Sequence, residues 1–278
     1  MTLQLLIAGH IVKDRTGTGW VPGGGALYAA AQASKLGIQA AVVTACGGDL
    51  EPPELVPEVE WRVLRVDEAI EFENTYSDGR RSQRLLSTST PIGLADVPEV
   101  WRAAPLVLLT PVFHDIDPHL ARELVRPDNT VGIGAQGWLR RLEGDRVVPG
   151  DVETAPTWLA GDVVFLSEED VVDPEAAERW RERVPTVVLT RGRAGYTVWD
   201  SMGRHDIAPI ASCEKDPTGA GDVFATAYMV RYSETKDVLA AARFGAAAAA
   251  VCVEGRGIDS VATREQIEAR LNASEAHA

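Results

Sequence analysis

Short, nearly continuous apolar runs recur along this chain, each followed by a loop rich in glycine or charge. Residues 3–8, ending at Gly9, have the pattern of a parallel strand buried on both faces, and 40–44, 106–110, 131–134, 163–166 and 186–190 repeat it. Helical segments fall between several of them: a small-residue helix over 26–36 stopped by Gly37, then 119–125 and 174–183. Strand and helix therefore alternate, which predicts an α/β fold built on a doubly wound, mostly parallel sheet. Residues 195–199 and 204–210 read as an antiparallel pair at its edge, and Pro52, Pro53 and Pro57 predict no regular structure around them. A helix opens at the glycines of 219–221, a second is expected from Thr235 through the alanines of 246–250, and Thr263 with Gln266 matches a capping box for the last.

One region breaks the pattern. Residues 70–76 alternate apolar and polar with period two, so one face is wet, unlike the runs of the main sheet. Ser77-Asp78-Gly79 supplies turn chemistry and 80–88 can run back beside it. The chemistry predicts a small antiparallel flap, read as a lid from residue 61 onward.

Composition narrows the function classes. With 278 residues and 45% apolar positions the chain can bury a full core, and no repeat or interdomain linker divides it. A formal charge of -14 argues against non-specific binding to nucleic acid or an acidic membrane, so an anionic ligand must be held locally. Cys46, Cys213 and Cys252 lie far apart without metal-ligand spacing and read as buried free thiols in a reducing cytoplasm. The five histidines have no metal spacing either, and no apolar run reaches the ~20 residues of a membrane span.

The chemistry concentrates at Asp216-Pro217-Thr218-Gly219-Ala220-Gly221-Asp222, directly before an apolar helix. Small residues at a helix start expose backbone N–H groups that have no partner within the helix, and the macrodipole adds partial positive charge, so phosphate is a natural occupant. Asp222 is either a favourable first-turn charge or a base beside that cradle, able to take a proton from a hydroxyl attacking phosphorus. Other unusual residues also fall at strand ends, where doubly wound sheets bind ligands. Asp14 is a solvated loop acid or an acceptor for ligand hydroxyls. Gly23-Gly24-Gly25 is a flexible turn or a place where ligand touches backbone, and Gln136 ends a strand facing ligand. Ser167-Glu168-Glu169-Asp170 is a helix cap or an orienting group for hydrated Mg²⁺. Thr190-Arg191-Gly192-Arg193-Ala194-Gly195 is a hairpin turn or a phosphate contact.

The late motif, with the glycine segment upstream, resembles the ribokinase-like (PfkB) carbohydrate kinase family over nearly the whole chain. Phe72-Glu73-Asn74-Thr75-Tyr76, Gln136-Gly137 and Asp216-Pro217-Thr218 are similar to the branch holding plant myo-inositol kinases. The resemblance implies one three-layer α/β/α domain over 1–278, a β lid formed by about 12–22 and 61–90, and transfer of the γ-phosphoryl group of ATP to a sugar, polyol or nucleoside hydroxyl. It implies Asp222 as base, Gly219, Ala220 and Gly221 as anion hole, and Asp14, Gly24, Gly25, Tyr28 and Gln136 at the acceptor. Thr218, Thr190, Gly192, Gly195, Ala246, Gly255 and Gly257 would border ATP, Glu169 and Asp170 would serve Mg²⁺, and a monovalent cation such as K⁺ is a further candidate. The family's usual Asn after the double glycine is absent, with Tyr28 in its neighbourhood, and its Asn-x-x-Glu becomes Ser167-x-x-Asp170. The expected particle is a monomer or a homodimer through the lid, and the competing class is a catalytically silent sugar- or nucleotide-binding regulator.

Overall fold

The computed structural model describes residues 2–77, 80–152 and 157–275. The predicted turn residues Asp78 and Gly79 lie outside them. In chain order the strands begin with β1 (Leu5–Ala8), β2 (Val12–Thr16), β3 (Gly19–Gly23), β4 (Ala40–Cys46) and β5 (Glu60–Arg65). They continue with β6 (Glu71–Ser77), β7 (Arg80–Ser87), β8 (Leu106–Leu109), β9 (Thr130–Gly134) and the pair β10 (Arg141–Glu143) and β11 (Arg146–Val148). The last four are β12 (Val163–Ser167), β13 (Thr186–Thr190), β14 (Tyr196–Asp200) and β15 (Gly203–Ile207). The helices are α1 (Gly25–Lys35), α2 (Pro52–Leu55), α3 (Leu120–Leu124), α4 (Gln136–Leu139), α5 (Ala220–Thr235), α6 (Val238–Cys252) and α7 (Arg264–Glu275).

Nine strands form the large sheet in the order β15-β14-β13-β12-β9-β8-β1-β4-β5, parallel except for the β13–β14–β15 edge. Its strands are apolar on both sides because both sides are covered. Leu5, Ile7, Val42, Leu108 and Phe165 face one core with residues of α1, α5 and α6, while Leu6, Ala8, Val43, Leu109 and Leu166 face a second core with α3 and Trp138, Trp158 and Trp180. This is a three-layer α/β/α arrangement, the ribokinase-like fold.

The second sheet has six strands in the order β10-β11-β7-β6-β2-β3. The alternating stretch from Ile70 enters it as expected, but residues 61–65 do not: β5 pairs parallel with β4 and completes the large sheet. The hairpin β10–β11, absent from the sequence reading, extends the small sheet through Arg146 opposite Arg84. Three other boundaries differ. The helix expected from Thr235 begins at Val238, because Asp237 caps it through the amides of Leu239 and Ala240 while Lys236 turns left-handed at the end of α5. Pro52 sits in the first turn of α2, a position where its missing N–H is no loss, so this stretch is a helical turn. Residues 174–182 wind as 3₁₀ helix. Of the three cysteines expected to be buried, Cys46 and Cys252 are, whereas Cys213 is exposed because it lies in the loop between β15 and α5.

Candidate active site

Strand ends and helix starts converge beside the small sheet. At the start of α5, Gly219 has φ 76°, and a Cβ there would lie 2.2 Å from the Tyr28 ring. Only glycine satisfies both the left-handed backbone and the close packing of α1 beneath it. Asp216 Oδ1 accepts from Thr218 N–H at 3.0 Å, and Ala220 N–H turns back onto Pro217 O at 3.2 Å, so the Ala220 amide serves the turn itself. Gly221 is exposed, with open space where a side chain would be. Its surroundings leave a phosphate free to approach the helix end.

Behind that turn is a small cleft of about 60 Å³. From the first half of the chain it takes Asp14, Gly24, Gly25 and Tyr28, from the middle Gln136, and from the late motif Thr218, Gly219 and Asp222. Five lining residues escaped the sequence reading: Val12, Phe72, Gln83, Val112 and Arg140. Arg140 was the most findable, since it follows Gln136 by four residues across a predicted strand end, the spacing at which helical side chains meet. Its Nη2 donates to Gln136 Oε1 at 2.9 Å and its Nη1 to Val112 O at 3.0 Å, which fixes the plane of the guanidinium.

Asp222 lies on the cleft wall. It is part-buried, and desolvation pushes its carboxyl up from 3.8 to about 7; the Arg140 guanidinium pulls the other way and Asp170 adds to the rise. Gly25 makes room for it, because a Cβ at that position would stand 2.5 Å from Asp222 Oδ1 and 2.8 Å from Thr110 Cβ. Tyr28 is held neutral well above its ordinary range by burial first and by Asp216 next. Across the cleft, Asn74 Nδ2 donates to Asp14 Oδ1 at 2.9 Å and Gln83 Nε2 donates to Asn74 Oδ1 at 3.0 Å. The other Asp14 oxygen lies against Gly23, where a Cβ would come within 2.1 Å of it.

The remaining predicted residues lie outside this lining. Ser167 and Thr190 are register partners at the ends of β12 and β13, so the Ser167–Asp170 segment and the Thr190–Gly195 turn are neighbours. Asp170 is buried and accepts from Ser167 N–H at 2.8 Å, while Ser167 Oγ accepts from Glu169 N–H at 3.2 Å: the segment is a capping box, as one of its two readings has it. Glu169 is exposed. In the turn, Gly192 and Gly195 have φ 48° and 94°, and Arg191 donates to Glu175 at 2.7 Å and to Thr197 Oγ1, so its guanidinium braces the turn. Gly255 and Gly257 follow α6, on which Ala246 is half-buried; this stretch is tied to the late motif where Val253 O accepts from Lys215 N–H at 2.7 Å. Among the described residues no group of three or more His, Cys, Asp or Glu is placed to hold a metal, and no helix is long and apolar enough to cross a membrane. Mg²⁺ does not need such a group, since it keeps several waters and is bound by one or two carboxylates together with phosphate oxygens. The exposed Glu169, with Asp170 next to it in the chain, supplies the carboxylate character that requirement names.

A doubly wound sheet with a second small sheet, and a glycine-headed helix carrying a part-buried carboxylate in its first turn, make up the ribokinase-like fold. The pfkB family carbohydrate kinase profile matches residues 163–264, which include the late motif. Inositol 3-kinase of Zea mays is 30% identical over 60% of this chain and 45% of its own length, and inositol 3-kinase of Oryza sativa is 28% identical over 77% and 56%. The chain thus spans about half the length of these curated relatives. Among solved structures, a pyrophosphate-dependent kinase in the ribokinase family complexed with a pyrophosphate analog and myo-inositol superposes with a TM-score of 0.81 at 24% identity, covering 96% of this chain and 100% of that one. The match to the pfkB family carbohydrate kinase model covers residues 163–264, and the likeness to the solved structure extends the ribokinase-like fold over nearly the whole chain.

Proposed function

We propose that this protein is a kinase that moves the γ-phosphoryl group of ATP to a hydroxyl of a small sugar or polyol of the inositol type. The observation that carries the reading is the pairing, in one cleft, of a desolvated Asp222 with the hydrogen-bonded Asp14, directly behind the glycine start of α5. Asp14 holds the acceptor through a hydroxyl that donates to it. Asp222 takes the proton of the reacting hydroxyl as its oxygen forms the new bond to phosphorus and the bond from phosphorus to the ADP oxygen breaks. A carboxyl near neutrality suits this role, because it is ionised enough to accept a proton and basic enough to hold it. The helix start at 219–221 faces the charge on the transferred group, with Gly221 as its open point of approach. Thr190, Gly192, Gly195, Thr218, Ala246, Gly255 and Gly257 border the nucleotide in this reading.

Glu169 and Asp170 would orient the water shell of Mg²⁺, which when bound offsets the phosphate charge in a cleft already holding two carboxylates. The protein would act in the cytoplasm, as a monomer or as a homodimer; the exposed Trp20, Val21 and Leu86 of the small sheet support the second arrangement. The test is nucleotide consumption with Mg²⁺ against a panel of cyclic polyols, sugars and nucleosides, repeated with pyrophosphate as donor. ADP formation with a polyol or sugar is expected. Failure with every acceptor, alongside measurable ligand binding, would leave a binding protein instead.

A further inference from the structure

Asp115 is a fully buried carboxylate just outside the cleft lining. A buried charge is costly unless its oxygens are hydrogen-bonded, so its partners show what it is there to hold. Its Oδ1 accepts from Val112 N–H at 2.7 Å and from Phe113 N–H at 2.8 Å, and its Oδ2 accepts from His10 N–H at 3.3 Å. The first two bonds run back along the chain and fold the segment after β8 into a tight loop. Within it His114 takes φ 48°, a left-handed backbone that a non-glycine residue keeps only where its surroundings hold it.

That loop is the seat of α4 and of Arg140. His114 N–H donates to Gly137 O at 2.9 Å, and the His114 ring meets Arg140 O at 2.9 Å; a carbonyl only accepts, so Nε2 carries the proton. The Arg140 guanidinium donates to Val112 O, the carbonyl of a residue whose amide Asp115 holds. A Cβ on Gly137 would stand 2.4 Å from the Pro111 carbonyl carbon, so α4 sits directly on the loop. Oδ2 of Asp115 reaches a different element. His10 lies in the crossing from β1 of the large sheet to β2 of the small one, just before Val12 and Asp14. Its carbonyl packs against Gly24, where a Cβ would stand 2.5 Å away. One carboxylate thus joins the loop under Arg140 to the strand that carries Asp14.

We infer that Asp115 is a positioning residue for phosphoryl transfer: from behind the cleft wall it fixes the loop that aims Arg140 into the cleft, and it ties that loop to the crossing that carries Asp14. The inference rests on the kinase reading and adds to it a residue outside the cleft lining. The two branches can be separated. An asparagine at 115 keeps one oxygen for Val112 and Phe113, but its amide nitrogen then faces the His10 N–H, donor against donor. Alanine releases both branches.

The experiment uses the full chain with Asp115→Asn, Asp115→Ala, Arg140→Met and the double variant Asp115→Ala/Arg140→Met. Asp162→Ala is the structural control: Asp162 also accepts a backbone N–H, that of Val131 at 2.7 Å, but at the entry to β9, the end of that strand away from Gln136. Rates are measured with ATP and the acceptor the wild type phosphorylates, well below each thermal transition. Asp115→Asn should raise the acceptor KM roughly 3- to 10-fold, the worth of one net hydrogen bond, with kcat little changed. Asp115→Ala should also lower kcat roughly 10- to 100-fold, the cost of a displacement on the order of 1 Å at a reacting site, while the KM for ATP holds. In the Arg140→Met background it should lower kcat little further, because the group it aims is gone. Wild-type kcat in Asp115→Ala, an equal fall in Asp162→Ala, or losses that multiply in the double variant overturn the inference. If Asp115→Ala does not fold, Asp115→Asn decides, and an unchanged acceptor KM overturns it. Should the wild type phosphorylate no acceptor, the kinase reading fails separately, and ¹⁵N relaxation at the Arg140 side chain then decides. Greater mobility in Asp115→Ala but not in Asp162→Ala upholds the positioning role, and equal mobility in all three proteins overturns it.

Discussion

Removing the charge from Asp222 tests the buried-base argument in two independent ways. Its carboxyl rises from 3.8 to about 7 because the cleft withholds water from the ionised form. The sign follows from linkage: the folded state holds this proton more tightly than the unfolded chain, so the contribution is most favourable below the unfolded value and is lost as pH rises through the folded one. Between pH 5 and pH 8 the wild type should lose stability relative to Asp222→Asn, which has no proton to release. At about 1.4 kcal/mol per pH unit the ceiling for that interval is about 2.6 kcal/mol, and water within the cleft reduces it to about 2 kcal/mol. Denaturant melts of both proteins at the two pH values measure it, since every other titrating group cancels in the double difference. The same carboxylate should give kcat/KM an acidic limb near pH 7, with activity rising as pH increases, and Asp222→Asn should lower turnover by about two to four orders of magnitude. A double difference near zero together with a limb at ordinary carboxylate pH would refute the desolvated base.

Two other outcomes follow from the same cleft. Arg140→Met removes the cation that holds Asp222 down, so the acidic limb of kcat/KM should move to higher pH; a limb that stays in place would show that Arg140 serves only Gln136 and Val112. Glu169→Gln with Asp170→Asn should raise the Mg²⁺ concentration giving half-maximal rate while leaving acceptor affinity nearly unchanged, because the Asn oxygen can still accept from Ser167 N–H; wild-type Mg²⁺ dependence would reduce the segment to a helix start.

The sequence by itself determined the layer architecture, since strands apolar on every position, such as Leu5–Ala8 and Leu106–Leu109, require cover on both faces and hence helices on both sides. It also located the chemistry at 216–222, because a glycine pair before an apolar helix and an acid inside its first turn are local facts of the chain. What it left open were questions of environment. Nothing local distinguishes a first-turn Asp from a base: the elevated carboxyl of Asp222 arises from desolvation beside Gly25, with Asp170 adding to the rise and Arg140 opposing it, all residues far away in the chain. Gln83 enters the site from the small sheet, Arg140 from the end of α4 and Val112 from the segment after β8, placements that no local pattern reveals. β5 read as part of the lid because an exposed edge strand alternates like a flap, and only its pairing with β4 assigns it to the large sheet. Period and turn chemistry are written in neighbouring residues, whereas desolvation, strand partnership and the orientation of a buried amide are set by what lies across the fold, and those the tertiary structure alone decided.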